Sequence, residues 1–491
     1  MVSSVRFVFG PFELEPAKRR LTAAGEPVAI SDRHLEVLLL LVARAGHIVA
    51  KDDLIEAGWK DVAVGDNSIE QAVSSLRRTL GEHPSGSPYI ETVPRRGYRF
   101  GVEVTRTAAR ESDEGLGELL APHRAFIEGR AALETLEGER ILQAREVFEK
   151  TLRDVPEHSS AHLGLANACV MQFEMTRADP DPDQRPLELA AHHAREACRL
   201  DPRSGEAWAT LGFVLHRVGG RMDALAASKR ATMLEPDNWR HHLRLGSVSW
   251  GEERLRAAHR VLALLPNLPL AHWLAATVHV ARGAFIEAQH ELSTALTAAP
   301  ALGDSRFSLV ALHWLAGLLH LANGDENRAL EQFEAELALE ATGHLYAREC
   351  CANTWYAIGA LRLRQRRSAD AAMAFEHAIA RVAMHPLARV GLESAQAAAS
   401  VMTMAQGPSY DDLHENLASD SPRTFEAGLV QAARLAVREA HARAAHVINE
   451  TLAGSARGDA GWHLPVEPLL HVSAHPDIWA QPLALLRQRA A

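Results

Sequence analysis

Tyr89-Ile-Glu-Thr-Val-Pro-Arg-Arg-Gly-Tyr-Arg-Phe100 decides how the first hundred residues of this chain are read. Two apolar-alternating runs meet at a turn carrying Arg95, Arg96 and Gly97. Such alternation is the mark of half-buried strands, so the stretch predicts a hairpin. Gly97 supplies the positive φ that the turn needs. Arg95, Arg96 and Arg99 then place guanidinium groups on one protrusion, where they can grip phosphates or enter a minor groove.

Upstream lies an amphipathic helix that ends in Leu76-Arg77-Arg78-Thr79-Leu80-Gly81. Asn67 reads as its N-cap and Glu70 as the capping-box partner. Gly81 ends it. Ile69, Val73, Leu76 and Leu80 form the apolar stripe. At 100° per residue the opposite face holds Gln71, Ser74, Ser75 and Arg78, flanked by Glu70 and Arg77. Alone, that face reads as an ordinary solvated surface. With an arginine-tipped hairpin behind it, it has the polarity to enter a major groove, Gln71 facing an adenine edge and the arginines a guanine or a phosphate.

Further out, short strands are expected at Val5–Phe9, Phe12–Glu15, Arg20–Thr22 and Pro27–Ile30, punctuated by Gly10-Pro11 and Ala24-Gly25. Ser31 caps a helix carrying Leu35, Leu38, Leu39 and Val42, which runs up to Gly46. Lys51–Trp59 gives a second helix with Leu54, Ile55 and Trp59 facing inward. Small sheet, three helices, hairpin: this is the order of a winged helix.

On these residues, 5–104 resembles the effector domain of the OmpR/PhoB family of bacterial winged-helix transcription factors. The stretch Thr92-Val-Pro-Arg-Arg-Gly-Tyr-Arg99 is similar to the CadC/ToxR-like branch. The resemblance implies that the third helix enters the major groove and the hairpin the adjacent minor groove. Carried over by position, the helix sites fall on Ala72, Ser74, Ser75 and Arg77, and the wing sites on Arg95, Arg96 and Tyr98. The chain departs from several relatives in lacking basic residues at 72, 74 and 75, which shifts the expected base readout toward Gln71, Arg77 and Arg78. Neither a receiver domain with a phospho-acceptor aspartate before the winged helix nor the membrane span usual in that branch after it is expected here.

Composition limits the alternatives. At 491 residues the chain is too long for one ordinary domain. Its net charge is −10, and residues 1–104 hold 13 Lys+Arg against 14 Asp+Glu. A nucleic-acid coat protein is excluded, and DNA binding must rest on a local arginine cluster. The four cysteines, Cys169, Cys198, Cys350 and Cys351, have no metal-type spacing and read as small buried hydrophobes in a reducing compartment. The longest apolar stretch, Val261–Ala281, is broken by Pro266, Asn267 and Pro269 and is no membrane span. A cytoplasmic location is expected. Histidine neighbours such as His192-His193 and His241-His242 point about 100° apart on a helix and make poor metal sites. No phosphate-binding Gly-rich loop or nucleophile elbow occurs. Neither an enzyme nor a cofactor is expected.

From Ala125 onward the chain repeats. Small residues and prolines recur at matched offsets, as in Ala190/Ala194/Ala197/Pro202, Ala224/Ser228/Ala231/Pro236 and Ala288/Leu292/Ala295/Pro300. Pro202 to Pro236 is 34 residues, the tetratricopeptide period, and Trp208-x2-Leu211-Gly212 matches that motif's start. The expected fold is mainly α: a small α+β winged helix-turn-helix domain (1–104), a linker (105–123), an α-solenoid of tetratricopeptide-like helix pairs (124–386), then degenerate repeats and a cap (387–491). The expected function is a sequence-specific DNA-binding transcriptional regulator whose partner is double-stranded DNA. Its array takes a protein or peptide partner or mediates a homodimer. The alternative is a cytoplasmic tetratricopeptide scaffold in which the winged helix docks protein.

Overall fold

In the N-terminal domain, short alternating strands and three helices close around one core. β1 (Arg6–Phe9), β2 (Phe12–Glu15), β3 (Arg20–Ala23) and β4 (Glu26–Pro27) form an antiparallel meander, as their alternation and intervening glycines dictate. The computed structural model describes residues 6–16, 19–59, 66–83, 86–94, 96–107, 129, 133, 137–298, 308–403, 424–456 and 458–491. β8 (Thr105–Thr107) adds to the free edge of β1, giving the order β4-β3-β2-β1-β8. The sheet thus runs three residues past the boundary drawn at 104, because the open edge of β1 takes them. β4 is shorter than the strand expected at Pro27–Ile30.

α1 (Asp32–Ala43) starts at Ser31, whose hydroxyl accepts from the His34 N–H. α2 (Lys51–Trp59) has the expected bounds and buries Leu54; the side chains of Ile55 and Trp59 lie outside the described residues. α3 (Asp66–Leu80) begins one residue before the expected cap, Asn67, whose side chain is likewise outside them. Glu70 reaches Lys51 Nζ of α2 at 3.2 Å, so its carboxylate joins two helices.

The hairpin is present as β6 (Ile90–Val93) and β7 (Gly97–Phe100). A third strand that alternation did not show, β5 (Ile48–Val49), pairs with β7 and makes it central in a three-stranded sheet. Gly97 has φ +130°, and a Cβ there would lie 2.0 Å from the Val49 carbonyl oxygen. Only glycine meets both demands. Rings from both sheets share the core: Phe9 packs edge-on to Phe100 at 5.1 Å and Tyr89 at 6.1 Å.

The remainder of the described chain is helical. Its helices are α4 (Gly138–Asp154), α5 (Ser159–Thr176), α6 (Arg185–Leu200), α7 (Gly205–Arg217), α8 (Arg221–Leu234), α9 (Trp239–Val248), α10 (Glu252–Leu264), α11 (Pro269–Arg282), α12 (Phe285–Ala298), α13 (Leu312–Ala322) and α14 (Glu326–Ala338). They continue as α15 (Ala347–Arg364), α16 (Ser368–Arg381), α17 (Pro386–Thr403), α18 (Phe425–Ala436), α19 (His441–Gly454) and α20 (Pro476–Ala490). Consecutive helices pair: α7 with α8, α9 with α10, α11 with α12, α13 with α14, α15 with α16, α18 with α19. The residues at matched offsets, such as Ala190, Ala194 and Ala197 or Ala288, Leu292 and Ala295, are buried, as are Phe148, Phe333 and Phe375. They seal each pair: a Cβ at Gly317 would meet the Phe333 ring at 2.4 Å. One pair leaves its apolar face open, and stacking the next covers it.

The chain divides into two compact units, Met1–Phe173 with Gln184–Pro236 and Glu174–Asp183 with Asp237–Ala491. All four cysteines are unpaired and buried. Among the described residues no helix is long and apolar enough to cross a membrane, and no histidine, cysteine and carboxylate cluster could hold a metal ion.

Candidate nucleic-acid interface

The core decides which face of α3 is presented. Ile69, Ala72, Val73, Leu76 and Leu80 are buried against the sheets and α1. The turn of the helix then sends Gln71, Ser74 and Arg78 outward, all exposed, with Ser75 half-buried beside them. This is the stripe expected from the sequence. Ala72 does not belong to it. At 1 % exposure it is part of the core stripe, because it falls three residues after Ile69 and four before Leu76. Its methyl group is not offered to a ligand.

Arg77 flanks the stripe and is half-buried. Its Nε donates to the Ile90 carbonyl oxygen at 3.0 Å and its Nη2 to Thr92 Oγ1 at 2.8 Å. The guanidinium therefore bolts α3 to the first strand of the hairpin. A charged donor on two oxygens holds more firmly than a neutral one, so helix and wing keep a fixed spacing.

In the wing, pleating separates Tyr98 and Phe100 from Arg99. Tyr98 is 4 % exposed and packs in the core, so the contact expected from it by family position is not available at the surface. Arg99 lies on the other face, opposite Glu91 in the β6–β7 register. Its Nε and Nη2 both donate to Glu91 Oε2, at 2.9 and 2.5 Å. Hairpin register alone could have found this pair, since residues facing each other across strands interact directly. Arg96 is exposed at the turn, and its backbone N–H closes the turn onto the Val93 carbonyl at 3.0 Å. Arg95 lies outside the described residues.

The structure thus brings four of the expected residues, Gln71, Ser74, Ser75 and Arg78, onto one outward stripe. It places Arg96 at the neighbouring turn. Two more, Arg77 and Arg99, fix the spacing and shape of these elements, and two, Ala72 and Tyr98, support them from inside. Glu70, on the rim of α3, is paired to Lys51, and Glu91 is paired to Arg99.

Residues 25–100 match the family described as transcriptional regulatory protein, C terminal. The transcriptional activator CadC of Escherichia coli (strain K12) is 29 % identical over 106 residues, which are 21 % of this chain and 21 % of that protein. The transcriptional regulator HilA of Salmonella typhimurium is 36 % identical over 103 residues, 21 % of this chain and 18 % of its own. The chain spans about a fifth of the length of these relatives. Human IFIT1 is similar over 82 % of this chain and 79 % of its own, at 15 % identity and a TM-score of 0.47. The N-terminal domain is of the OmpR/PhoB type, and a region of tetratricopeptide-like helix pairs follows it.

Proposed function

We propose that this chain is a transcriptional regulator whose N-terminal domain binds duplex DNA. α3 enters the major groove with Gln71, Ser74, Ser75 and Arg78 toward the base edges and adjoining phosphates. The turn carrying Arg95 and Arg96 reaches the neighbouring minor groove. Arg77 and Arg99 act as positioning residues, holding helix and wing at the spacing two grooves require. The observation that carries this reading is the outward stripe of α3 beside an exposed arginine turn, the two joined by the bonds of Arg77 to β6. Transcriptional regulators among the relatives of residues 25–100 support it.

One such module makes few base contacts, so tight binding calls for two copies on paired half-sites. The helix pairs would take a protein or peptide partner, or join two copies, and so govern how the N-terminal domains meet DNA.

The test is salt dependence in the full chain. The logarithm of affinity for a selected duplex falls linearly with the logarithm of salt, each phosphate contact adding about 0.9 to the slope. Arg95→Ala with Arg96→Ala should flatten the slope by about 1.8, two contacts' worth. Equal slopes for wild type and variant would overturn the wing assignment and favour the protein-docking scaffold.

A further inference from the structure

α11, α13 and α15 are the first helices of three successive pairs, and each bears a tryptophan: Trp273, Trp314 and Trp355. Against them lies a segment from much further along the chain, Asp459–Ala474. The Trp462 indole stands edge-on to Trp273 at 6.0 Å and to Trp314 at 6.2 Å. Val466 joins the apolar cluster of Ala276, Val280 and Leu318. The Tyr356 hydroxyl donates to the buried Glu467 carboxyl, which also accepts from the Leu469 N–H at 3.3 Å and faces His463 Nε2 at 3.5 Å. Asp459 Oδ2 accepts from Arg254 Nη2 at 3.2 Å.

This segment differs from the repeats it touches. It is not a helix pair but two short 3₁₀ turns, Leu464–Val466 and Val472–Ala474, stiffened by Pro465 and Pro468. It is seated by an indole and a carboxylate, the contacts of a bound peptide. Burial holds the Glu467 carboxyl up to about 7. An ionisable group makes a poor permanent core, since an apolar side chain of its size is often at least as stable there. The face also keeps unused capacity: the indole N–H of Trp273 is buried without an acceptor. Buried donors normally find one.

We propose that this face is a peptide-binding site occupied in cis. Asp459–Ala474 is a displaceable internal ligand, and the external partner is a peptide of the same chemistry, presenting an indole and, five residues on, a carboxylate within a proline-stiffened turn. Binding in trans requires that the internal segment leave. The proposal names the ligand class for the partner-binding role given to the helix pairs above. Its test reads no DNA binding, so either reading can fail alone.

A labelled synthetic peptide of residues 458–475 is titrated into the full wild-type chain and into full-length Trp462→Ala/Val466→Ala. The emptied site of the variant should bind it at least about tenfold more tightly than wild type. Adding Trp314→Ala to that variant should remove the gain. Equal affinities overturn the proposal. If the double variant fails to fold, native-state hydrogen exchange of the wild type decides. The amides of Trp462, Leu464, Val466 and Leu470 are bonded within the segment. Their exchange about tenfold or more faster than the amides of α11 and α13 supports local release. Exchange at one common rate shows a fixed core and overturns the proposal.

Discussion

Large rings fill the N-terminal domain, where Phe7, Phe9, Phe12, Tyr89 and Phe100 meet between two sheets. Alanine fills the helix pairs, with a phenylalanine such as Phe148, Phe333 or Phe375 at intervals. The first core joins residues some ninety positions apart, from Phe7 to Phe100. In the second, most sealing contacts lie within one pair or between neighbours. A core of distant rings fixes one shape and one outward stripe, so residue identity on that stripe carries meaning. A core of repeated small residues fixes the helices and leaves their outer faces free to vary.

The sharpest way to break this contrast is to empty one ring from a helix pair. Phe333→Ala removes a fully buried ring lying on Gly317 and should destabilise by about 3–5 kcal/mol. Eight of the nine tryptophans lie beyond residue 200, so indole fluorescence during denaturation reports on the repeats. The midpoint should fall while affinity for a selected duplex stays within about twofold, since Phe333 belongs to a different compact unit from the N-terminal domain. A large loss of DNA binding would show that the two regions are not separable.

Gly97→Ala tests the other side. The new methyl group meets a backbone oxygen at a positive φ, a strain on the order of 1–3 kcal/mol before the clash is counted. Hydrogen exchange should rise across β5, β6 and β7, DNA binding should weaken, and the amides of α11 to α16 should be unchanged. Unaltered exchange in the three strands would show that the turn can relax and that glycine is not required.

Glu467→Gln sharpens the contrast through pH. Burial raises the native carboxyl from 4.5 to about 7, so the folded chain holds a proton that the unfolded chain has released. Stability from this group is therefore full below about 4.5 and is lost as pH rises through about 7. Nearby, burial lowers His463 to about 4, which acts in the opposite sense, and raises the Tyr356 hydroxyl. The amide has no proton to lose and can still accept from Tyr356. The variant should match wild type near pH 4.5 and exceed it at pH 8 by on the order of 1–3 kcal/mol. Melting curves at the two pH values check this; a constant difference would show that the carboxyl titrates alike in the folded and unfolded chain and that burial does not raise it.

Much of the first region was legible. Period-two runs placed the hairpin, and the α3 stripe placed Gln71, Ser74, Ser75 and Arg78 on the outside. What escaped was set by pairing across distance. β5 is two residues long, too short for alternation to show, and β8 exists because β1 had an open edge. Ala72 and Tyr98 were assigned by family position, and only the buried side of helix and strand shows that they face inward. No local signal marks Ile90 and Thr92 as the seat of Arg77, whereas the seat of Arg99 on Glu91 follows once the hairpin register is known. In the second region the offsets gave the helix pairs, and proline and small residues gave their ends. The seat of Trp462 on Trp273 and Trp314 spans nearly two hundred residues in sequence, and no periodicity encodes it.

The four cysteines sit in α5, α6 and α15, none of them in the N-terminal domain. Burial lifts the Cys169 thiol to about 11, Cys198 and Cys351 to about 12, and Cys350 well above its usual range. Reagents attack the thiolate, so the closed chain is silent to them. Alkylation then becomes a stopwatch for the parting of helices, blind to anything that happens at the winged end, and a cysteine introduced at Ser74 would give that end a reactive handle of its own.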